Sequence, residues 1–304
     1  MSSRHLIALV AIQLAMAIPS WAETSRLNTT PSTQSLPRVI TLTPHLAEVV
    51  DAAGGASMLV GVSAHSNQPS SIKNLPIISD ARSLDLERIK TLQPTLIIYW
   101  QSGTPSTQIE ALKKYFANSS TKIMSTEPRK LDDIAKDIEA IGKILGTTKI
   151  ADQSAKQFRQ HIKDLQKKYK KNQQPNVRPI RVFYQIWAQP LMTLNREHLI
   201  GDIIQLCGGE QLFATEKLLV PTVSRESVLK ADPEIIFTAV DNKNIKTDWS
   251  MWSSLPNLSA TKNNAFVEIN GDTISRPSPQ ILIGAEKICS SIEAIRLPRS
   301  PQKN

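Results

Sequence analysis

Between Arg38 and Gly146 the apolar positions switch repeatedly between a period near two and a period near 3.6. "RVITL" (38–42) reads as a strand, and "PHLAEVVDAAGG" as a helix opened by Pro44, with Thr43 placed to cap it, and ended by Gly54-Gly55. A short strand, "LVGVS" (59–63), follows. Asp85 then caps "LERIKTL", Pro94 ends that helix, and the unbroken apolar run "TLIIYW" reads as a buried strand. "PSTQIEALKKYF" is helical, "TKIMST" a strand and "KLDDIAKDIEAIGKILG" an amphipathic helix. Strands and helices in alternation predict an α/β fold with a mostly parallel sheet.

Residues 147–174 break the rhythm. Ile150, Phe158, Ile162, Leu165 and Tyr169 form a narrow apolar stripe at roughly helical spacing. A helix of about 24 residues reaches some 36 Å, more than one small lobe needs. "NQQPNVRP" ends it, and the alternation restarts with "IRVFYQIW". The second run mirrors the first: "HLAEVVDAAGG" is echoed by "HLIGDIIQLCGG" (198–209). "LERIKTLQPTLIIYW" is echoed by "RESVLKADPEIIFTAV", with Glu87 and Glu226 each seven positions before a proline, Pro94 or Pro233. A short helix around "WSMWSSL", a strand "AFVEI" and a helix from Pro277 to about Ile295 complete it. The pattern predicts two Rossmann-like lobes, 37–146 and 175–296, joined by one long helix with a cleft between them.

The ends read differently. Arg4 and His5 precede about 13 apolar residues, then Pro19 and small residues at Ser20 and Ala22, the pattern of a secretory signal peptide over 1–22. That run is short of the roughly 20 residues needed to span a bilayer. Residues 23–36 read as a polar leader and 297–304 as a similar tail, so the expected protein is exported and soluble. The net charge of +9 is concentrated in "KQFRQHIKDLQKKYKKNQQ", without the aromatics or glycines of a nucleic-acid platform, and reads as a solvated helix face; no nucleic-acid partner is expected. Two cysteines, Cys207 and Cys289, in an exported chain favour a structural disulfide. No CxxC exists and no His stands at ligand spacing from either.

In order and spacing, "PRVITLTPHLAEVVDAAGG", "GVSAHSNQP", "LDLERIKTLQPTLIIYWQSG", "VFYQIWAQPLMT", "LCGGEQLF", "VPTVSRESVLKADPEIIF" and "SRPSPQIL" resemble the helical-backbone substrate-binding proteins of ABC importers, and within them the periplasmic cobalamin-binding proteins. The resemblance spans residues 37 to about 296. It implies two α/β lobes bridged by a rigid helix, ligand held between them, and a carboxylate on each lobe that docks onto one of two membrane subunits related by a two-fold axis. By resemblance those are Glu87 and Glu226. Both also sit at the second helical position, after Asp85 or Ser224 as N-cap, where a Glu stabilises any helix by about 0.3–1 kcal/mol.

A corrinoid needs a broad apolar wall and a few polar groups for its amide fringe. Trp100 matches a cleft Trp of the family, Ile186 holds a wall position with Trp187 beside it, and Asp272 and Arg276 match an Asp and an Arg of the ligand loop. His65 stands where a family member has a ligand-contacting Tyr. Trp100 and Trp187 also suit a core. Ala81 and Val220 replace two family tryptophans, so the aromatic wall departs from the pattern. The expectation is a periplasmic monomer that carries cobalamin or a related corrinoid as cargo, with no resident cofactor or metal. Haem, which would draw on His65 or Tyr99 as axial ligand, and a ferric siderophore are the alternative cargoes. An exported enzyme is disfavoured: G-x-S-x-G, H-E-x-x-H and phosphate-loop motifs are all missing.

Overall fold

Strands β1 (Val39–Thr41), β2 (Leu59–Ser63), β3 (Ile77–Ser79), β4 (Leu96–Trp100) and β5 (Lys122–Thr126) form one sheet in the order β3-β2-β1-β4-β5, every pair parallel. The computed structural model describes residues 36–170, 174–241 and 247–296. Helices α1 (Pro44–Ala52), α2 (Leu86–Thr91), α3 (Ser106–Tyr115) and α4 (Leu131–Leu145) connect and cover these strands, and α5 (Thr148–Tyr169) leads out of the lobe. The second sheet takes β6 (Ile180–Gln185), β9 (Gly209–Gln211), β10 (Ile235–Val240) and β11 (Phe266–Asn270) in the parallel order β11-β10-β6-β9; β7 (Trp187–Ala188) and β8 (Leu191–Met192) make a separate antiparallel hairpin. Its helices are α6 (Leu199–Leu206), α7 (Arg225–Ala231), α8 (Ser250–Ser253), α9 (Ser259–Lys262), α10 (Gly271–Ile274) and α11 (Ile281–Arg296). Parallel neighbours explain the continuous apolar runs: Leu96 to Tyr99 of β4 and Ile235 to Thr238 of β10 are all buried.

The long helix is packed from both sides. One apolar cluster runs from Val39 and Ile98 through Ile134 and Ile138 of α4 and Phe158, Ile162 and Leu165 of α5. It continues into Ile203 of α6, Ile235 of β10 and Ile288 of α11. The anticipated stripe differs at one end: Ile150 is 53% exposed, and Ala151 and Ala155 carry the buried face instead. The cause is a close helix crossing. A Cβ at Gly142 of α4 would lie 2.1 Å from the Ala151 Cβ, so only small residues fit there. Polar links join the same elements: the Leu131 N–H at the start of α4 donates to Asp202 of α6 at 3.1 Å, and the Tyr169 hydroxyl to Glu286 of α11 at 2.9 Å.

Asp85 and Ser224 cap α2 and α7 through the N–H groups of Arg88 and Ser227, as expected. Thr43 precedes α1, but its hydroxyl makes no capping bond. The last helix begins at Ile281 rather than Pro277, because Ser278 and Gln280 are held in a polar turn before it. The linking helix ends at Tyr169, short of 174. Strand β3, the β7–β8 hairpin and β9 were not apparent in the pattern. The signal peptide, the leader up to Ser35 and the tail from 297 lie outside the described residues.

Cys207, just after α6, and Cys289 in α11 are fully buried and disulfide-bonded across 82 positions. Closing so long a loop restricts the unfolded chain. Cys207→Ala with Cys289→Ala should therefore lower stability by about 2–5 kcal/mol in chemical denaturation, and the unfolded, non-reduced wild type should show no free thiol.

Two histidines are held neutral. His45 is buried on α1, and burial with the nearby Arg276 charge pushes its pKa down to about 3. His198 caps α6 by accepting the Ile200 N–H on Nδ1 at 3.1 Å, and burial beside Arg129 lowers it to about 4. In the unfolded chain both bind a proton near pH 6.5, so as pH falls below 6.5 the unfolded state takes up protons that the native state refuses, and stability is lost. From pH 6.5 to 5 the loss should be up to about 2 kcal/mol for each histidine. His45→Gln should flatten this acid limb in denaturation measured at both pH values.

Candidate functional site

In each sheet the order reverses beside the first strand: between β1 and β4, and between β6 and β10. At such a switch point the loops leave in opposite directions and open a crevice at the carboxyl ends of the strands. The residues that follow these strands line the cleft. Trp100 at the end of β4, Ser102 just after it and Glu127 just after β5 face Tyr184 near the end of β6, Ile186 and Trp187 just after it, and Ala239 and Asp241 around the end of β10, lining a cavity of about 410 Å³. A second recess of about 240 Å³ lies on the first-lobe side, bordered by Thr43, His45, His65, Ala81 and Thr104. Trp100, Ser275 and their neighbours separate the two.

Trp100 is half-buried and meets the His45 ring edge-on, with centroids 5.1 Å apart at 90°. Its other contact explains the glycine that follows: a Cβ at Gly103 would lie 1.9 Å from the Trp100 ring. Trp187 is 62% exposed on the β7–β8 hairpin, with its Nε1 donating to the Gln189 carbonyl at 2.8 Å. It therefore borders the cleft as an exposed ring and is not core. Ile186 is half-buried in the same wall. Val220 also borders the larger cavity, as Ala81 borders the smaller.

Asp272 and Arg276 belong to a bridge between the lobes. The Arg276 guanidinium bonds Asp272 at 2.6 Å, the Asn67 amide oxygen at 2.7 Å, Glu48 at 3.2 Å and the His65 carbonyl at 3.3 Å. The Ser278 hydroxyl donates to the other Glu48 oxygen. Glu48 is buried on α1, and burial raises its pKa, opposed by hydrogen bonds from Ser278 and Arg276. His65 has a left-handed backbone (φ 64) while its carbonyl accepts from Arg276. Its side chain is exposed at the smaller recess. Arg276 borders that recess, whereas Asp272 borders neither cavity and instead holds Arg276.

Glu87 and Glu226 are exposed, each at the second position of its helix. Each helix, α2 or α7, feeds the strand beside the switch point, β4 or β10. Such a helix runs back against the strands, so its N-terminus lies at the carboxyl edge where the cleft opens. Glu87 accepts the Tyr115 hydroxyl at 2.7 Å, which raises the Tyr115 pKa. Hydrogen bonds from its own N–H and from Ser224 lower that of Glu226.

Several lining residues escaped the sequence reading. Tyr184, Glu127 and His45 end or follow strands that were recognised, so the switch-point rule applied to those strands would have reached them. Glu48 carried only the faint signal of one acid within the apolar face of "HLAEVV". Among the described residues no three His, Cys, Asp or Glu side chains form a metal-holding group, and no helix is long and apolar enough to cross a membrane.

The sequence profile described as periplasmic binding protein matches residues 39–273. The vitamin B12-binding protein of Vibrio cholerae serotype O1 is 34% identical over 259 residues, covering 84% of this chain and 89% of that protein. The vitamin B12-binding protein of Yersinia pestis is 34% identical over 265 residues, 87% and 89% of the two chains. The crystal structure of the periplasmic vitamin B12-binding protein of Vibrio cholerae matches with a TM-score of 0.76 at 32% identity, over 86% of this chain and 98% of that one. The chain belongs to the periplasmic binding protein family, a family of transport binding proteins rather than enzymes.

Proposed function

We propose that this protein captures cobalamin or a related corrinoid in the interlobe cleft and delivers it to an ABC importer. The observation that carries the cargo is the charge pairing of the cleft. Arg129 is bound to Glu127 at 2.8 Å and Arg276 to Asp272 and Glu48, and His198 is neutral at periplasmic pH. Among the described lining residues no cation is left for the carboxylates of haem or the anionic donors of a ferric siderophore. Cyanocobalamin, whose single phosphodiester anion is balanced by the cobalt corrin within the molecule, makes less demand on such cations. The similarity to vitamin B12-binding proteins supports the same cargo.

In this reading Trp100, Ile186 and Trp187 form the apolar wall, and His65 borders the ligand's fringe. Asp272 and Arg276 build the end of the cleft by holding the lobes at a set separation. The working parts are the lobes 37–146 and 175–296 and the helix 147–174 between them, behind a signal peptide over 1–22. The protein acts as a monomer, and Glu87 and Glu226 each meet one membrane subunit of a two-fold importer. The Tyr115 hydroxyl holds Glu87 in one orientation at that surface.

Titration of residues 23–304 with cyanocobalamin should give saturable one-to-one binding by calorimetry. Trp187→Ala should weaken it about 10- to 100-fold, since an aromatic ring covered by ligand contributes roughly 1.5–3 kcal/mol. No cobalamin binding together with a Soret shift on haem addition would overturn the cargo. For docking, Glu87→Ala with Glu226→Ala should reduce association with the importer in nanodiscs by tenfold or more, as expected when charge-assisted bonds of about 1.5–3 kcal/mol are lost. Cyanocobalamin affinity should stay within about twofold, well below the ~1.4 kcal/mol that a tenfold change represents; lost ligand affinity in this variant would refute the docking role.

A further inference from the structure

The two carboxylates at the rim stand in matching places but are held in different ways. Glu87, exposed at the second position of α2, accepts the Tyr115 hydroxyl of α3 at 2.7 Å. That phenol is itself fixed. Its half-buried ring packs against the apolar cluster that holds Ile89, Leu112 and Phe116, and the Lys90 ammonium lies 5.6 Å from the ring centroid, within reach of a cation–π attraction. The hydroxyl engages one carboxylate oxygen, Oε1. Among the described residues no bond is made to the other.

Glu226 has no such brace. The described helix after β10, in the place that α3 takes after β4, is α8, a single turn of four residues. Its contact with α7 goes to the neighbouring side chain: the Arg225 guanidinium donates to the Met251 carbonyl at 2.7 Å. The Glu226 carboxylate is bonded by its own N–H and by Ser224, both at the start of its own helix. Among the described residues no side chain of another element bonds it. A carboxylate folded onto its own first turn must loosen those bonds to meet a cation beyond the rim. Fixing a rotamer-rich side chain at an interface costs conformational entropy, and one that is already fixed has less to lose.

We propose that Tyr115 is a positioning residue for docking and that the two lobes engage the importer unequally. The first lobe presents a carboxylate already set; the second presents one that is set only on contact. The inference rests on the docking role proposed for Glu87 and Glu226. A two-fold importer offers the same groups to both lobes, so an inequality between them comes from this chain. The partner group at the first lobe is a cation that takes Oε2 of Glu87 while Tyr115 keeps Oε1.

The test measures association with the importer in nanodiscs for Glu87→Ala, Glu226→Ala and Tyr115→Phe, and for Tyr115→Phe combined with each of the other two. Tyr115→Phe removes only the hydroxyl and keeps the packed ring. It should weaken association about three- to tenfold, the range expected of one pre-set side chain. Glu87→Ala should cost more than Glu226→Ala. In the Glu87→Ala background Tyr115→Phe should change association by less than about twofold, and in the Glu226→Ala background it should keep its full effect. A hydroxyl that merely supports the fold would act alike in every background. Equal effects of Tyr115→Phe in the wild type and in Glu87→Ala therefore overturn the positioning role, and equal losses in Glu87→Ala and Glu226→Ala overturn the inequality. A clear loss in Glu87→Ala beside a silent Tyr115→Phe defeats the inference and leaves the docking role standing. An unchanged association in Glu87→Ala defeats the docking role itself, and the inference with it.

Discussion

Everything in this molecule depends on the apolar contact made by α5. Its buried face, Ala151, Ala155, Phe158, Ile162 and Leu165, is part of a single cluster that reaches the sheets of both lobes. At roughly 25 cal/mol per Å² of apolar surface, even three fully buried side chains of this kind contribute several kcal/mol. A flexible hinge would expose part of that surface each time it opened. The Gly142–Ala151 approach draws α4 against α5, and Asp202 anchors the start of α4 from the other lobe. The lobes are thus held by packing, and the cleft stands open between two preset walls.

The bridge around Arg276 works within that frame. Arg276 and Glu48 side chains are only 14% and 6% exposed, and an ion pair this dry gives up most of the solvation of both partners. Its net contribution to stability is therefore small, while breaking one side would strand a buried charge. What the bridge supplies is geometry. It joins α1 to the turn before α11 and pairs the Arg276 charge with Glu48 and Asp272.

The repeated Glu-to-Pro unit reflects the same economy of topology. In both lobes it supplies the helix that leads into the strand beside the switch point, so its first turn reaches the rim and its strand ends in the cleft. The two copies then diverge. The position that carries Trp100 in the first copy carries Ala239 in the second, and both border the larger cavity. The carboxylates at the rim are thus matched between the lobes, while the walls inside are not.

How much was legible beforehand differs between fold and site. Apolar periodicity was enough for the α/β alternation, the long central helix, the two caps at Asp85 and Ser224 and the duplicated lobes, because these depend on local spacing and on burial of whole faces. The short strands β3 and β9 and the hairpin were not legible, since, unlike β1 within "RVITL", their two or three residues stand in no longer alternating run. The exposure of Ile150 depended on the close approach of Gly142 in α4 to Ala151 in α5. The disulfide followed from cysteine count and compartment. The site was legible where strands end, at Trp100 and Ile186, but not where side chains from opposite lobes meet. Nothing in "HLAEVV" or "SRPSP" says that Glu48 and Arg276 will pair over 228 positions. By itself the sequence determined which faces must be buried and in what order the elements come. Only the tertiary structure decided which charges neutralise one another and which side chains meet across the cleft, because electrostatics and packing act through distances that no local pattern encodes.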